Sequence, residues 1–180
     1  MKNFVACASL LLAAATVIAQ PAAPKSPAAT ESGSIGGKAI VITYSSPRVN
    51  GRAGHIFTKD GLIGTNKGYP VWRAGANAAT KLHTEGDLKI GGCAVPAGDH
   101  TLFVDLSDPD NWVLIVNKQT GQSGLAYDKA QDLCRVPMTM AKPPATVENL
   151  KYTVTDRGNG KGLLTLAWEN YSASVPITQH

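Results

Sequence analysis

Over residues 38–180 no stretch keeps a helical period, and apolar residues recur instead in short β-branched runs cut by Gly, Pro, Asn or Asp. Ala39-Ile40-Val41-Ile42-Thr43-Tyr44 predicts a first, central strand that stops at Ser45-Ser46-Pro47. Asn50-Gly51 marks a turn, and residues 54–68 read as a long glycine-rich loop with short extended pieces, Ile56-Phe57 among them. Further strands are expected at 80–84 and 87–90, then at 93–95 after a two-residue hairpin at Gly91-Gly92. The runs 101–106 and 112–117 are apolar on both faces, which places them mid-sheet with both faces covered. Residues 118–130 are polar, with a helical turn expected only within 128–133, and a strand follows at 133–138. A hairpin of 150–156 with 162–169 should bring Tyr152, Val154, Leu164, Leu166 and Trp168 together, and a short strand at 171–177 follows it. The fold class predicted is all-β, an antiparallel β-sandwich or jelly-roll-like single domain with little helix.

The start of the chain has a different character. Lys2, an apolar run at 4–18 and the small residues Val17 and Ala19 fit a secretory signal peptide over 1–19, cut ahead of Gln20. That run falls short of the roughly 20 apolar residues of a membrane span. Residues 20–37 are Pro, Ala, Ser and Gly with hardly a large apolar side chain, so they read as a linker, with the domain at 38–180. The expected location is periplasmic or extracellular. Loss of Cys7 with the leader leaves Cys93 and Cys134, for which a disulfide is the simplest outcome in an oxidising compartment. Two buried thiols or a redox pair are the alternatives. The formal charge of +4 is scattered rather than striped, so no nucleic-acid partner is expected.

Residues 68–80 hold the densest patch of unusual residues, Gly-Tyr-Pro-Val-Trp-Arg-Ala-Gly-Ala-Asn-Ala-Ala-Thr. Pro70 restrains the approach, Val71 and Trp72 suit burial, and Gly75 permits a backbone angle or a close approach that a side chain would forbid. Arg73 offers a planar fork for a carboxylate or phosphate, and Asn77 a donor and an acceptor. In one reading the pair holds an anionic or sugar-like ligand, with Arg48, Lys118 and Tyr127 as neighbours. In the other, Arg73 pairs with an internal carboxylate and Asn77 ties down its own turn.

Val-Trp-Arg-x-Gly-Ala-Asn-x-Ala-Thr at 71–80, Val95-Pro96-Ala97-Gly98 leading into Leu102-Phe103, Trp112 with Ile115 and Asn117-Lys118, and Ala126-Tyr127-Asp128 resemble an exported bacterial family, domain of unknown function twenty-nine eleven. The likeness covers roughly residues 40–138, including Tyr44-Ser45-Ser46-Pro47-Arg48 and Gly51-Arg52. It departs at 52–69, which is longer and richer in glycine, and at 122–125, where the family often has a tryptophan before Gly. The resemblance implies an exported all-β domain and no settled activity.

Asp105, Asp108, Asp110 and Asn111 crowd oxygens into one turn but lack a calcium loop's closing Glu. His55, His83 and His100 lack zinc spacing. Gly121-Gln122-Ser123-Gly124 is not a nucleophile elbow, and residues 157–162 read as a hairpin tip before an anion nest. Trp112 and Trp168 suit the core before a sugar platform. No cofactor is expected. The preferred reading is a non-catalytic binder of a small molecule, a glycan or an envelope protein. The competing readings are an envelope hydrolase or lyase assembled from His83, His100 and Asp128, and a purely structural domain.

Overall fold

The computed structural model describes residues 25–179, so the leader reading of 1–19 and the first part of the linker lie outside the described residues. The strands in chain order are β1 (Ala28–Ile35), β2 (Lys38–Ser45), β3 (Val71–Trp72), β4 (Thr80–Thr84), β5 (Leu88–Ile90), β6 (Cys93–Val95) and β7 (Gly98–Asp105). They continue as β8 (Val113–Asn117), β9 (Asp132–Pro137), β10 (Thr139–Ala141), β11 (Val147–Gly158), β12 (Lys161–Glu169) and β13 (Tyr171–Gln179). Two antiparallel sheets result. A seven-stranded sheet runs β1-β2-β4-β7-β8-β9 with β3 also on β7, and a six-stranded sheet runs β11-β12-β13-β5-β6 with β10 also on β13. The fold is an all-β sandwich.

Strand alternation explains the core. Ile40, Ile42, Leu82, Leu102, Val104, Leu114 and Val116 point inward from the larger sheet, against Leu164, Leu166, Val175 and Ile177 of the smaller. Burying each such side chain stabilises the fold by about 1.5–3 kcal/mol. Phe103 and Ile115 are equally buried on the opposite face of the larger sheet. The polar segment 118–131 covers them, with the Tyr127 ring 5.1 Å from Phe103. Asn117 anchors this cover by donating to the Asp128 carbonyl and the Asp132 carboxylate, both at 2.9 Å. The apolar double face of β7 and β8 thus has its expected cause, and the expected helical turn is a short 3₁₀ turn at Lys129–Gln131.

Each open side of the sandwich is closed by a specific contact. On one side the Glu31 carboxylate of β1 accepts the Val154 amide of β11 at 3.0 Å. On the other, Cys93 of β6 and Cys134 of β9 form a disulfide with Cα atoms 6.3 Å apart, 41 positions apart in sequence. In the chain-entropy model a loop of that length contributes roughly 3–4 kcal/mol.

Two expectations are corrected. Residues 28–35 are not linker: β1 pairs with β2 along its whole length, from Ala28↔Ser45 to Ile35↔Lys38, through a turn at Gly36 (φ 58°) and Gly37 (φ 79°). Low apolar content misled, because backbone pairing needs no large side chain. Gly33 is small of necessity, since a Cβ there would lie 2.8 Å from the Val154 side chain. Nor are Ile56 and Phe57 in a strand. The loop doubles back through successive turns and inserts Ile56, Phe57 and Ile63 as a plug. The Phe57 ring lies 4.8–5.6 Å from those of Trp72, Trp112, Trp168 and Tyr171. Trp112 and Trp168 are therefore core residues.

Candidate functional site

The unusual motif is an excursion inside an interrupted strand. Trp72 of β3 pairs with Val104, and Thr80 of β4 pairs with Leu102, so both segments lie along the same edge of β7 while residues 73–79 loop out between them. Hydrogen bonds hold the excursion. The Trp72 indole N–H donates to the Gly75 carbonyl at 3.1 Å, and the Ala76 amide to the Ser45 carbonyl at 3.1 Å. The Ala74 carbonyl accepts from the Tyr152 hydroxyl at 2.8 Å and from Thr80 Oγ1 at 3.1 Å. The left-handed positions are Ala74 (φ 52°) and Asn77 (φ 58°), not Gly75. Gly75 is required for close approach: a Cβ there would lie 2.9 Å from Thr80 Oγ1 and 3.2 Å from the Ser45 carbonyl oxygen. The left-handed alanine costs about 1–2 kcal/mol, and the hydrogen bonds on its carbonyl offset it.

This corner presents Arg73 to a cleft of about 490 Å³, within the size range of small-ligand sites. Lys25, Arg48, Arg52 and Arg73 line it together with Asn50, Asn66, Ile63 and Trp168. Among the described residues no Asp or Glu lines it. Among the described residues none of these four cations forms an ion pair. The Arg73 stem packs against Gly124, where a Cβ would sit 2.4 Å from Arg73 Cδ, and its buried Nε–H meets no acceptor. Burial holds the guanidinium below the ordinary arginine value, yet arginine stays charged at working pH. Arg52 is fixed by donating to the carbonyls of Val49 (3.0 Å) and Arg48 (2.7 Å). The plug that carries Arg52, Ile63 and Asn66 is tied to β12 by the Gly54 amide, which donates to the buried Glu169 carboxylate.

Of the residues expected at a site, the fold brings Arg73 and Arg48 into one cleft. Asn77 stands beside it, donating to the Ser26 carbonyl at 3.4 Å and so holding a lining residue. Lys118 and Tyr127 do not line it. Lys118 is exposed at the end of β8, its amide bonded to the Gln131 carbonyl. Tyr127 belongs to the cover of the larger sheet, donating to Asp132 at 2.6 Å and accepting from Arg135 at 2.9 Å. Lys25, Arg52, Asn50 and Asn66 were missed, since nothing in sequence separates them from ordinary loop residues, whereas Trp168, expected in the core before a sugar platform, is buried there and also lines the cleft. The bridge Ala78↔Ser123 and the Gly124 contact show why residues 121–124 matter: they buttress the motif.

The residues of the hydrolase reading do not converge. His83 pairs with Asp99 at 2.6 Å on the outer face, whereas His100, next to Asp99 on β7, points to the other face and contacts the Pro96 carbonyl at 2.8 Å. Asp128 caps the 3₁₀ turn through the Ala130 amide. Of the oxygens in the Asp105–Asn111 turn, those of Asp105 are engaged by Arg135 and Ser107, and those of Asp108 by Asn111 and the Asp110 amide. Among the described residues no three His, Cys, Asp or Glu side chains gather as a metal site would need.

No curated protein and no solved structure matches the chain. A family model does match, over residues 26–177, wider than the stretch that carries the motif likeness and with β1 inside it. The chain belongs to the family described as protein of unknown function (DUF2911).

Proposed function

We propose that this domain is a non-catalytic binder of a small anionic ligand, a carboxylate- or phosphate-bearing molecule or an acidic sugar, in the basic cleft. One observation carries the reading: Arg73 is held by a rigid corner in a cleft lined by three further cations and no carboxylate, and its buried Nε–H has no acceptor. An internal lock would place an acidic partner against the guanidinium, as the fold does for Arg135. Here the acceptor is left for a ligand, and like charges gathered with no carboxylate in the described lining favour an anion between them.

Export to the periplasm or outside the cell is part of this proposal. The disulfide suits an oxidising compartment, and no helix among the described residues is long and apolar enough to cross a membrane.

The test is calorimetric titration of wild-type protein and Arg73→Ala with a panel of organic acids, sugar acids and sugar phosphates. We expect one-to-one binding that weakens roughly 10- to 100-fold in the variant, the loss of one charged hydrogen-bonding group. Equal affinity in a folded Arg73→Ala protein would remove the site, and an Arg73→Ala protein that cannot fold would restore the internal lock.

A further inference from the structure

Resting on that anion-binding reading, we infer that the ligand is an amphiphile: a carboxylate or phosphate head seated among the cations of the cleft, with an apolar arm laid over Leu62, Tyr69 and Leu125. Among the described residues these are the large apolar side chains left exposed, by 40%, 40% and 51%. They are not scattered. Leu62 lines the basic cleft together with Arg73. Tyr69 and Leu125 line a small recess that shares the wall residues Ile63, Asn66 and Arg73 with the cleft. A Cβ on Gly68 would meet Leu125 Cδ2 at 3.9 Å, so Leu125 rests against the backbone that leads into Tyr69.

Single exposed apolar side chains are ordinary on a protein surface, but their convergence beside a polar hollow marks a binding surface. Charge defines one end of the occupant. Lys25, Arg48, Arg52 and Arg73 line the cleft with no carboxylate in the described lining, and Asp60, in the loop that carries Leu62, lines neither hollow. The apolar side chains define the other end. Size bounds the whole, since three half-exposed side chains fall well short of the roughly 800 Å² that each partner of a stable protein complex covers. A cleft of about 490 Å³ suits a small molecule. An acyl arm that leaves water gains roughly fourfold in affinity for each methylene fully buried and roughly twofold for each half-buried.

The probes are butanoate, hexanoate and octanoate, each below the concentration at which it self-associates, with octyl glucoside as an uncharged compound bearing the same arm as octanoate. They are titrated calorimetrically into the protein as its cell matures it, into Arg73→Ala, and into a Leu62→Asn, Leu125→Asn double variant whose changes lie on the exposed surface. In wild-type protein octanoate should bind at least about tenfold more tightly than butanoate, the gain from four half-buried methylenes. Octyl glucoside should bind at least about tenfold more weakly than octanoate. The double variant should cut the octanoate-to-butanoate ratio below about threefold, whereas Arg73→Ala should weaken both acids and keep the ratio.

Butanoate and octanoate binding within about threefold of each other in wild-type protein overturns the arm and leaves the anion site standing. A tenfold ratio that survives in the double variant, or octyl glucoside that matches octanoate, overturns the joined head and arm. Silence with all three acids removes the amphiphile, and the sugar acids and sugar phosphates of the wider panel then decide the anion site by themselves. Flotation with phosphatidylglycerol vesicles, or self-association in sedimentation, lost in the double variant and unaccompanied by a chain-length gain, assigns the apolar surface to a membrane or to a second copy and overturns the inference.

Discussion

Arg135 stands on β9 of the larger sheet and Arg73 in the loop between its β3 and β4, and the two live in opposite chemistry. Arg135 reaches across the outer face to Asp105, to Asp132 at 3.2 Å and to the Tyr127 hydroxyl at 2.9 Å. Arg73 is more deeply packed along its stem and has none of these partners. The paired arginine fastens a cover over Phe103 and Ile115. The unpaired one is supported by neighbours that bond to one another rather than to its head. The proposed anion site rests on this contrast between a paired and an unpaired cation.

The contrast is broken most forcefully by removing the support. Trp72→Ala empties a space between Phe57 and Trp168 and deletes the hydrogen bond to Gly75, so it should cost about 3–5 kcal/mol in denaturant unfolding. A cost under about 1 kcal/mol would mean that the corner does not depend on its tryptophan.

Next comes the direct comparison of the two arginines with the stem retained. Arg135→Met strands Asp105 and Asp132 and should lower stability by about 1–3 kcal/mol, whereas Arg73→Met should change it by less than about 0.5 kcal/mol. Equal losses would make both arginines structural.

The smallest effect is spectroscopic. Burial, then the hydrogen bond to Asp132 and its charge, push the Tyr127 hydroxyl up to about 12. Because the folded value lies above the ordinary 10.0, the contribution is fully present below 10.0 and is lost as pH rises from there through about 12. Asp132→Asn should return this titration toward 10.0, read as phenolate absorbance against a Tyr127→Phe control. No movement would detach Tyr127 from the network.

Much of the fold was legible. Val, Ile and Leu runs with turn residues between them located β2, β4, β7, β8, β9 and the β11–β12 hairpin, and Gly91-Gly92 marked the β5–β6 turn, with positive φ at both glycines. The strand at 28–35 was hidden because small residues suffice where Val154 packs onto Gly33. Of the candidate cleft, the motif, Arg73 and Arg48 were named from sequence. Tyr127 and Lys118 were grouped with them because adjacency in a motif list carries no information about which end or face of a sheet a residue occupies.

By itself the sequence determined the strand-and-turn grammar, the pair of cysteines available for a bridge and the rigid Trp-Arg-x-Gly-Ala-Asn corner. These depend on local preferences: β-branched side chains, turn residues, and a glycine where backbone must approach backbone. Tertiary structure alone decided that Arg73 has no carboxylate partner among the described residues, and that Lys25, Arg48 and Arg52 join it from segments far apart in the chain. Charge pairing depends on distance in space, and a sandwich brings together residues whose separation along the chain says nothing of that distance.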